Sequence, residues 1–167
     1  PANITDINII AKKHGLSVVE DGAQSFGSKH FKQKSCGLST IGVTSFFPSK
    51  PLGGYGDSGA CFTNNLELAN KIRQISKHGQ SQRYVHPQLG INGRMDTMQA
   101  AILLAKLSIF DKEINLREIK ASIYTKLLNS IGIKSTPVID NNNTSVYAQY
   151  TIQIDKRESI QSFLKKI

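Results

Sequence analysis

One lysine stands where a covalent nucleophile would. Ile41 to Phe47 is an apolar, β-rich run that delivers Ser45 and then Lys50 into a loop containing Gly53, Gly54, Gly56 and Gly59. Pro48 and Pro51 flank the lysine with stiff backbone. The glycines let the chain turn tightly and approach a ligand closely. A lysine held in a fixed, desolvated geometry gives up its proton more readily and frees its lone pair. Taken by itself, Lys50 reads as a surface lysine in a turn. Partners elsewhere in the chain move the balance towards chemistry.

An amine nucleophile of this kind needs a carbonyl, and the commonest carbonyl cofactor is pyridoxal 5′-phosphate. That group requires a lysine, a partner for its pyridinium nitrogen and donors for its phosphate. Asp21 ends the short apolar run that starts at Leu16, so it can supply the carboxylate that keeps the ring nitrogen protonated. Gln24 follows three residues later and can hydrogen-bond the ring oxygen. Ser45, five residues before Lys50, can donate to the phosphate together with backbone N–H groups of the glycine loop. Each has a plainer reading alone: Asp21 as a turn acid, Ser45 as a strand hydroxyl, Gln24 as an uninformative polar residue.

The elements around these residues read as α/β. Residues 4–14 pattern as an amphipathic helix with Ile4, Ile7, Ile10 and Ala11 on one face, and Gly15 as its stop. A strand over Leu16–Val19 then ends at Glu20 and Asp21, and in open α/β sheets ligands sit beyond the carboxyl ends of strands. Residues 21–40 read as an irregular loop, with His30 and Lys32 at its surface. Strands are expected over 41–47 and 59–63, and a helix from about 65 to 77, capped by Asn64. The span 78–93 is a long loop of functional or interface type. His78-Gly79 reads as helix-end capping, Asp57 as a brace for the glycine turn, and Tyr84 and His86 as surface. Asp96 and Gln99 have the spacing of a capping box opening a helix that carries Met98 and Ile102. A second helical segment is expected over 111–130. A composition change at Gly132–Asn143 places a domain boundary near 130, with a strand over Ser145–Ile154 and a helix from 157.

Composition narrows the classes. With 167 residues, 39% hydrophobic and 20% charged, the chain fits one globular unit or part of a larger one. The net charge of +9 permits anion binding. However, the basic residues are scattered and there is no Trp to interleave with them, so a nucleic-acid-binding module is the remote alternative. Such a module would bind with an affinity that falls steeply with salt. Two cysteines without CxxC spacing and four histidines without HxxxH spacing predict neither a disulfide framework nor a metal site. No apolar run approaches membrane-spanning length, and no leader pattern opens the chain, so the expected location is the cytoplasm. A phosphate-loop nucleotide hydrolase is excluded by order, since Lys50 precedes its glycines.

Four motifs in sequence carry a resemblance. These are Glu20-Asp21-Gly22-Ala23-Gln24, then Thr44 to Lys50, then Gly54-Tyr55-Gly56-Asp57-Ser58-Gly59-Ala60, and Gly90 to Ala101. In this order the chain resembles the DegT/StrS-type sugar-nucleotide aminotransferases, most closely those acting on 3-keto sugar nucleotides. The resemblance implies a fragment of the fold-type-I, aspartate-aminotransferase-like large domain (three-layer α/β/α) over 1–130. It also implies the start of a small α+β C-terminal domain over 131–167. It implies a pyridoxal-phosphate enzyme in which Lys50 forms the Schiff base and shuttles the proton. Asp21 pairs with the ring nitrogen, Gln24 with the ring hydroxyl, and Ser45 with the phosphate. Asn92 is implied to reach the phosphate in the neighbouring subunit of a homodimer, and Arg94 an anionic substrate group. The implied substrates are a keto sugar nucleotide and an amino donor, glutamate, in cell-surface polysaccharide biosynthesis. A family branch that carries His at the Lys50 position dehydrates sugars instead, and Lys50 argues against it. Family members are longer than this chain. The expectation is therefore a truncated product or one part of a split enzyme, inactive alone, with a non-catalytic cofactor-binding remnant as the alternative.

Overall fold

The computed structural model describes residues 1–166. In chain order the elements are α1 (Ile4–Lys13), β1 (Val19–Asp21), β2 (Lys29–His30), β3 (Gln33–Lys34), β4 (Ile41–Ser45), β5 (Gly59–Phe62), α2 (Leu66–Ile75), α3 (Thr97–Ser130) and α4 (Arg157–Leu164). The mixture is α/β, as the patterning predicts.

Asn3 opens α1 by accepting the Asp6 N–H on its side chain at 3.3 Å. Asp6 in the first turn and Lys12 and Lys13 in the last complement the helix dipole. Gly15, at φ +64°, ends the helix in the left-handed conformation a stop requires. Ile4 and Ala11 of the expected apolar face are buried, whereas Ile10 is 60% exposed. The first strand begins at Val19 rather than Leu16. The Leu16 N–H is still closing the helix, donating to the Ala11 carbonyl at 2.9 Å.

The sheet has the order β1-β4-β5. β1 runs parallel to β4, with Asp21 opposite Val43. β5 returns antiparallel, with Ser45 opposite Gly59. The connection between β1 and β4 is a compact wrap, built on the β2–β3 hairpin. Buried Glu20 organises the wrap by accepting the Ser35 hydroxyl at 3.0 Å, the Cys36 N–H at 2.8 Å and the Leu38 N–H at 3.2 Å. The wrap lies directly on β4, where a Cβ on Gly42 would stand 2.1 Å from the Cys36 carbonyl oxygen. Backbone cannot give way as a flexible side chain can. Gly42→Ala is therefore expected to cost about 3 kcal/mol or more of folding stability, read as a lowered urea midpoint with an unchanged slope.

Two elements differ from the pattern. α3 is one helix of 34 residues, where two were expected. Neither Gly nor Pro interrupts the polar Asp111-Lys112 step, so nothing stops propagation there. The 145–154 segment joins no strand ladder. Its Gln153 N–H donates to the Ser135 carbonyl at 3.4 Å, and Val146 is buried. The helix cap before α2 is Asn65, one residue beyond the expected Asn64, and its side chain accepts the Leu68 N–H at 3.1 Å.

His30 is not a surface residue: it is buried at 5% exposure. Its Nε2 lies 2.8 Å from Thr5 Oγ1 on α1, and its Nδ1 lies 2.6 Å from Asn143 Oδ1. The amide oxygen can only accept, so Nδ1 donates to it, and Nε2 is paired with the Thr5 hydroxyl. Three distant pieces of chain meet at that ring. Beside it, the Lys29 N–H donates to Thr144 Oγ1 at 2.8 Å, docking the Asn-rich turn on the hairpin.

Phe46, Leu52, Leu103 and Phe110 form the core that supports the site, with Phe26, Ala60, Met95 and Ile114 packed against them. Phe26 is its hub. Its ring meets Phe46 edge-on at 5.6 Å and stacks with Phe110 at 5.8 Å and Phe62 at 5.9 Å. This cluster fastens α3 to β4, β5 and the loop after Lys50. Among the described residues, no helix is long and apolar enough to cross a membrane.

Candidate active site

The carboxyl ends of β1 and β4 place the first two candidate residues on neighbouring strands at one end of the sheet. Asp21 is the last residue of β1 and faces Val43 across the ladder, two residues before Ser45 ends β4. Asp21 is exposed, and its Oδ1 accepts the Ala23 N–H at 2.9 Å, which turns the chain sharply after the strand. That turn is tied to β4 twice more. The Gly22 N–H donates to the Val43 carbonyl at 2.7 Å, and the buried Thr44 hydroxyl donates to the Gly22 carbonyl at 3.2 Å. Gln24 lies exposed in the same turn.

Ser45 Oγ accepts the Phe47 N–H at 3.2 Å, leaving its own proton to give. The chain then leaves the strand. The Phe46 N–H donates to the Ser58 carbonyl at 2.8 Å, and the Gly54 N–H returns to the Phe46 carbonyl at 2.8 Å. Those bonds end β4 before the expected Phe47 and close a turn whose returning half, 51–54, is buried. Lys50 is half-buried in that turn, with its N–H donating to the Phe47 carbonyl at 2.9 Å. Asp21, Gln24, Ser45 and Lys50 thus all lie on the segments that emerge from one end of the parallel pair. The donor set consists of a carboxylate, an amide, a hydroxyl and an amine, and it suits a ligand with a cationic ring nitrogen, a ring hydroxyl, a phosphate and a carbonyl.

Asn92 and Arg94 belong elsewhere. Both are exposed, and the Arg94 Nε donates to Asn92 Oδ1 at 3.0 Å, so the amide aims the guanidinium. They line a separate polar cavity of about 590 Å³ with Met95, Asp96 and Thr97, where α3 begins. None of Asp21, Gln24, Ser45 or Lys50 lines that cavity. The loop before it is pinned to the end of α2: the His78 N–H donates to the Ile91 carbonyl at 3.0 Å, and the Ile91 N–H to the Ile75 carbonyl at 2.8 Å. His78 and Gly79 both adopt positive φ there, consistent with a helix-end role. Tyr84 and His86 are exposed, as expected.

Two expectations about bracing are corrected. Asp57 is exposed and makes no hydrogen bond among the described residues, so it does not brace the glycine turn. Asp96 caps α3 without a side-chain hydrogen bond, and no capping box forms. Gln99 instead turns its amide to the glycine turn, accepting the Tyr55 N–H at 2.8 Å. The Asp96-to-Gln99 spacing fits a capping box equally well, and only the approach of the loop decides between the two.

The cysteines also separate. Cys36 is buried, and desolvation pushes its thiol above the ordinary range, whereas Cys61 is exposed. Neither forms a disulfide.

A family model described as the DegT/DnrJ/EryC1/StrS aminotransferase family matches residues 1–167. The chain is 57% identical over 164 residues to the UDP-2-acetamido-2-deoxy-3-oxo-D-glucuronate aminotransferase of Pseudomonas aeruginosa, covering 98% of this chain and 45% of that protein. A crystal structure of a DegT DnrJ EryC1 StrS aminotransferase from Brucella abortus superposes with a TM-score of 0.95 at 38% identity, covering 99% of this chain and 44% of that one. S. venezuelae DesV, in complex with a ketimine intermediate, superposes with a TM-score of 0.95 at 32% identity, covering 99% and 45%. The chain spans under half the length of these relatives. It belongs to the DegT/DnrJ/EryC1/StrS aminotransferase family.

Proposed function

We propose that the protein carrying this chain is a pyridoxal-phosphate-dependent aminotransferase. It moves an amino group from an amino acid, glutamate, to a 3-keto sugar nucleotide for cell-surface polysaccharide. A UDP-linked 3-oxo uronic acid is the substrate the Pseudomonas relative suggests. The observation that carries this reading is the position of Lys50, on the turn that leaves the same sheet end as Asp21 and Ser45.

When bound, the cofactor supplies an electron sink for a developing carbanion. The chain's residues do the rest. Lys50 Nζ would tether the cofactor and would take and return the substrate proton. The Asp21 carboxylate would keep a proton on the ring nitrogen, because a neighbouring negative charge favours the protonated form. Gln24 orients the ring through its hydroxyl. Ser45 Oγ donates to the phosphate, with backbone N–H groups of the glycine loop beside it. Asn92 and Arg94 serve the neighbouring subunit of a homodimer, Asn92 at its phosphate and Arg94 at an anionic group of the sugar nucleotide. Their separate cavity supports that assignment. Residues 1–130 belong to the cofactor-binding domain on this reading, residues 131–167 open the small domain, and the enzyme works in the cytoplasm.

The test is covalent trapping. Incubation of the purified chain with pyridoxal phosphate, followed by borohydride reduction and peptide mapping, is expected to yield one adduct, on Lys50. Labelling spread over many lysines would overturn the reading for this chain.

A further inference from the structure

The loop after Lys50 is held from outside, by α3. Gln99 accepts the Tyr55 N–H. Lys106, two turns further along the same helix, donates its ammonium to the Gly53 carbonyl. Its Nζ also stands 6.0 Å from the centre of the Tyr55 ring. The two ties bracket Gly54, whose own N–H bonds to the Phe46 carbonyl at 2.8 Å. Gly53 packs so tightly across the turn that a Cβ there would stand 2.4 Å from the Pro48 carbonyl oxygen. The returning leg, 53–55, therefore cannot shift without moving the outgoing leg, 46–48. Lys50 sits between the two.

Gln99 fills a slot that glycines leave open. A Cβ on Gly54 would come within 2.9 Å of Gln99 Oε1, and one on Gly56 within 3.1 Å of its Nε2. The aminotransferase reading gives neither Gln99 nor Lys106 a task. We propose that Gln99, with Lys106, is a positioning residue for Lys50: α3 clamps the returning leg of the turn and thereby holds the amine at the sheet end where Asp21 and Ser45 lie. The catalytic consequence rests on the reading of Lys50 given above, while the clamp rests on geometry alone.

Amide hydrogen exchange separates the two. In Gln99→Leu, exchange at Lys50, Gly54 and Tyr55 is expected to speed up by about tenfold, while amides of the β4–β5 ladder keep their rates. Gln99→Glu retains an acceptor for the Tyr55 N–H and is expected to restore most of the protection. The rate of borohydride-trappable adduct formation on Lys50 should follow the same order. Acceleration confined to Tyr55, with Lys50 and Gly54 unchanged, would overturn the proposal, because the bond would then hold only its own donor. If the native chain forms no Lys50 adduct, the cofactor reading fails for this chain by itself, and exchange at Lys50 still decides the clamp.

Discussion

Lys50→Ala is expected to leave a chain that folds as before and that pyridoxal phosphate no longer labels at a single site. The fold survives because the turn is held by backbone: the residue 50 N–H donates to the Phe47 carbonyl, and the Gly54 N–H to the Phe46 carbonyl. Alanine keeps every one of those groups, and Nζ makes no hydrogen bond among the described residues, so stability should change by less than about 0.5 kcal/mol. The chemistry does not survive. On the proposed reading, the loss of both tether and proton carrier should lower turnover of the cofactor-loaded enzyme by about a thousandfold or more. Lys50→Arg is the sharper control. It keeps the positive charge at the turn but offers no free amine, so it should fail with Ala. If Lys50→Arg kept the adduct yield and turnover of the native protein, another lysine would be the nucleophile.

The second large effect is expected at Asp21. Asparagine there retains an oxygen for the Ala23 N–H, now accepted by Asp21 Oδ1 at 2.9 Å, so the turn after β1 keeps its shape. The negative charge is gone. On the proposed reading, a pyridine nitrogen held beside the asparagine would then favour its neutral form, and the ring would withdraw electrons poorly. Asp21→Asn should therefore still form the trappable adduct on Lys50 while turnover falls by about a hundredfold or more. That split separates Asp21 from its neighbour. Glu20 is buried and uses its carboxylate on Ser35, Cys36 and Leu38, so its removal would disturb the wrap that rests on β4 rather than the electronics of a ligand. An Asp21→Asn variant with native turnover would remove the proposed role of the carboxylate.

Two adjacent acids of like charge thus divide by face. Successive residues of a strand point to opposite sides, so Glu20 goes into the protein and Asp21 towards solvent. The alternation is readable from the chain as soon as the strand is placed. Which side is the inside is not, because it depends on where the 35–38 segment lands.

Local grammar settled much of what this protein is. Asn3, Asp6, Lys12, Lys13 and Gly15 bound α1 through interactions that reach no further than one turn. The run into Ser45, the prolines around Lys50 and the glycines after it dictate a strand followed by a tight turn. The ordered motifs, jointly specific, name the family that the whole-chain match shows. Tertiary structure decided the rest, wherever one residue type serves two surroundings. His30 looks like any loop histidine until Thr5 and Asn143, one from each end of the chain, close on its two nitrogens. Gln99 has the spacing of a cap and becomes a clamp because the Tyr55 N–H arrives within reach. The 145–154 segment alternates like a strand but meets no ladder among the described residues, since a strand needs a repeated run of backbone bonds to a neighbour and not the single one at Gln153. Contacts within a turn are encoded by neighbours in sequence. Contacts across 25 or 113 residues, such as those at His30, are set by how the whole chain packs.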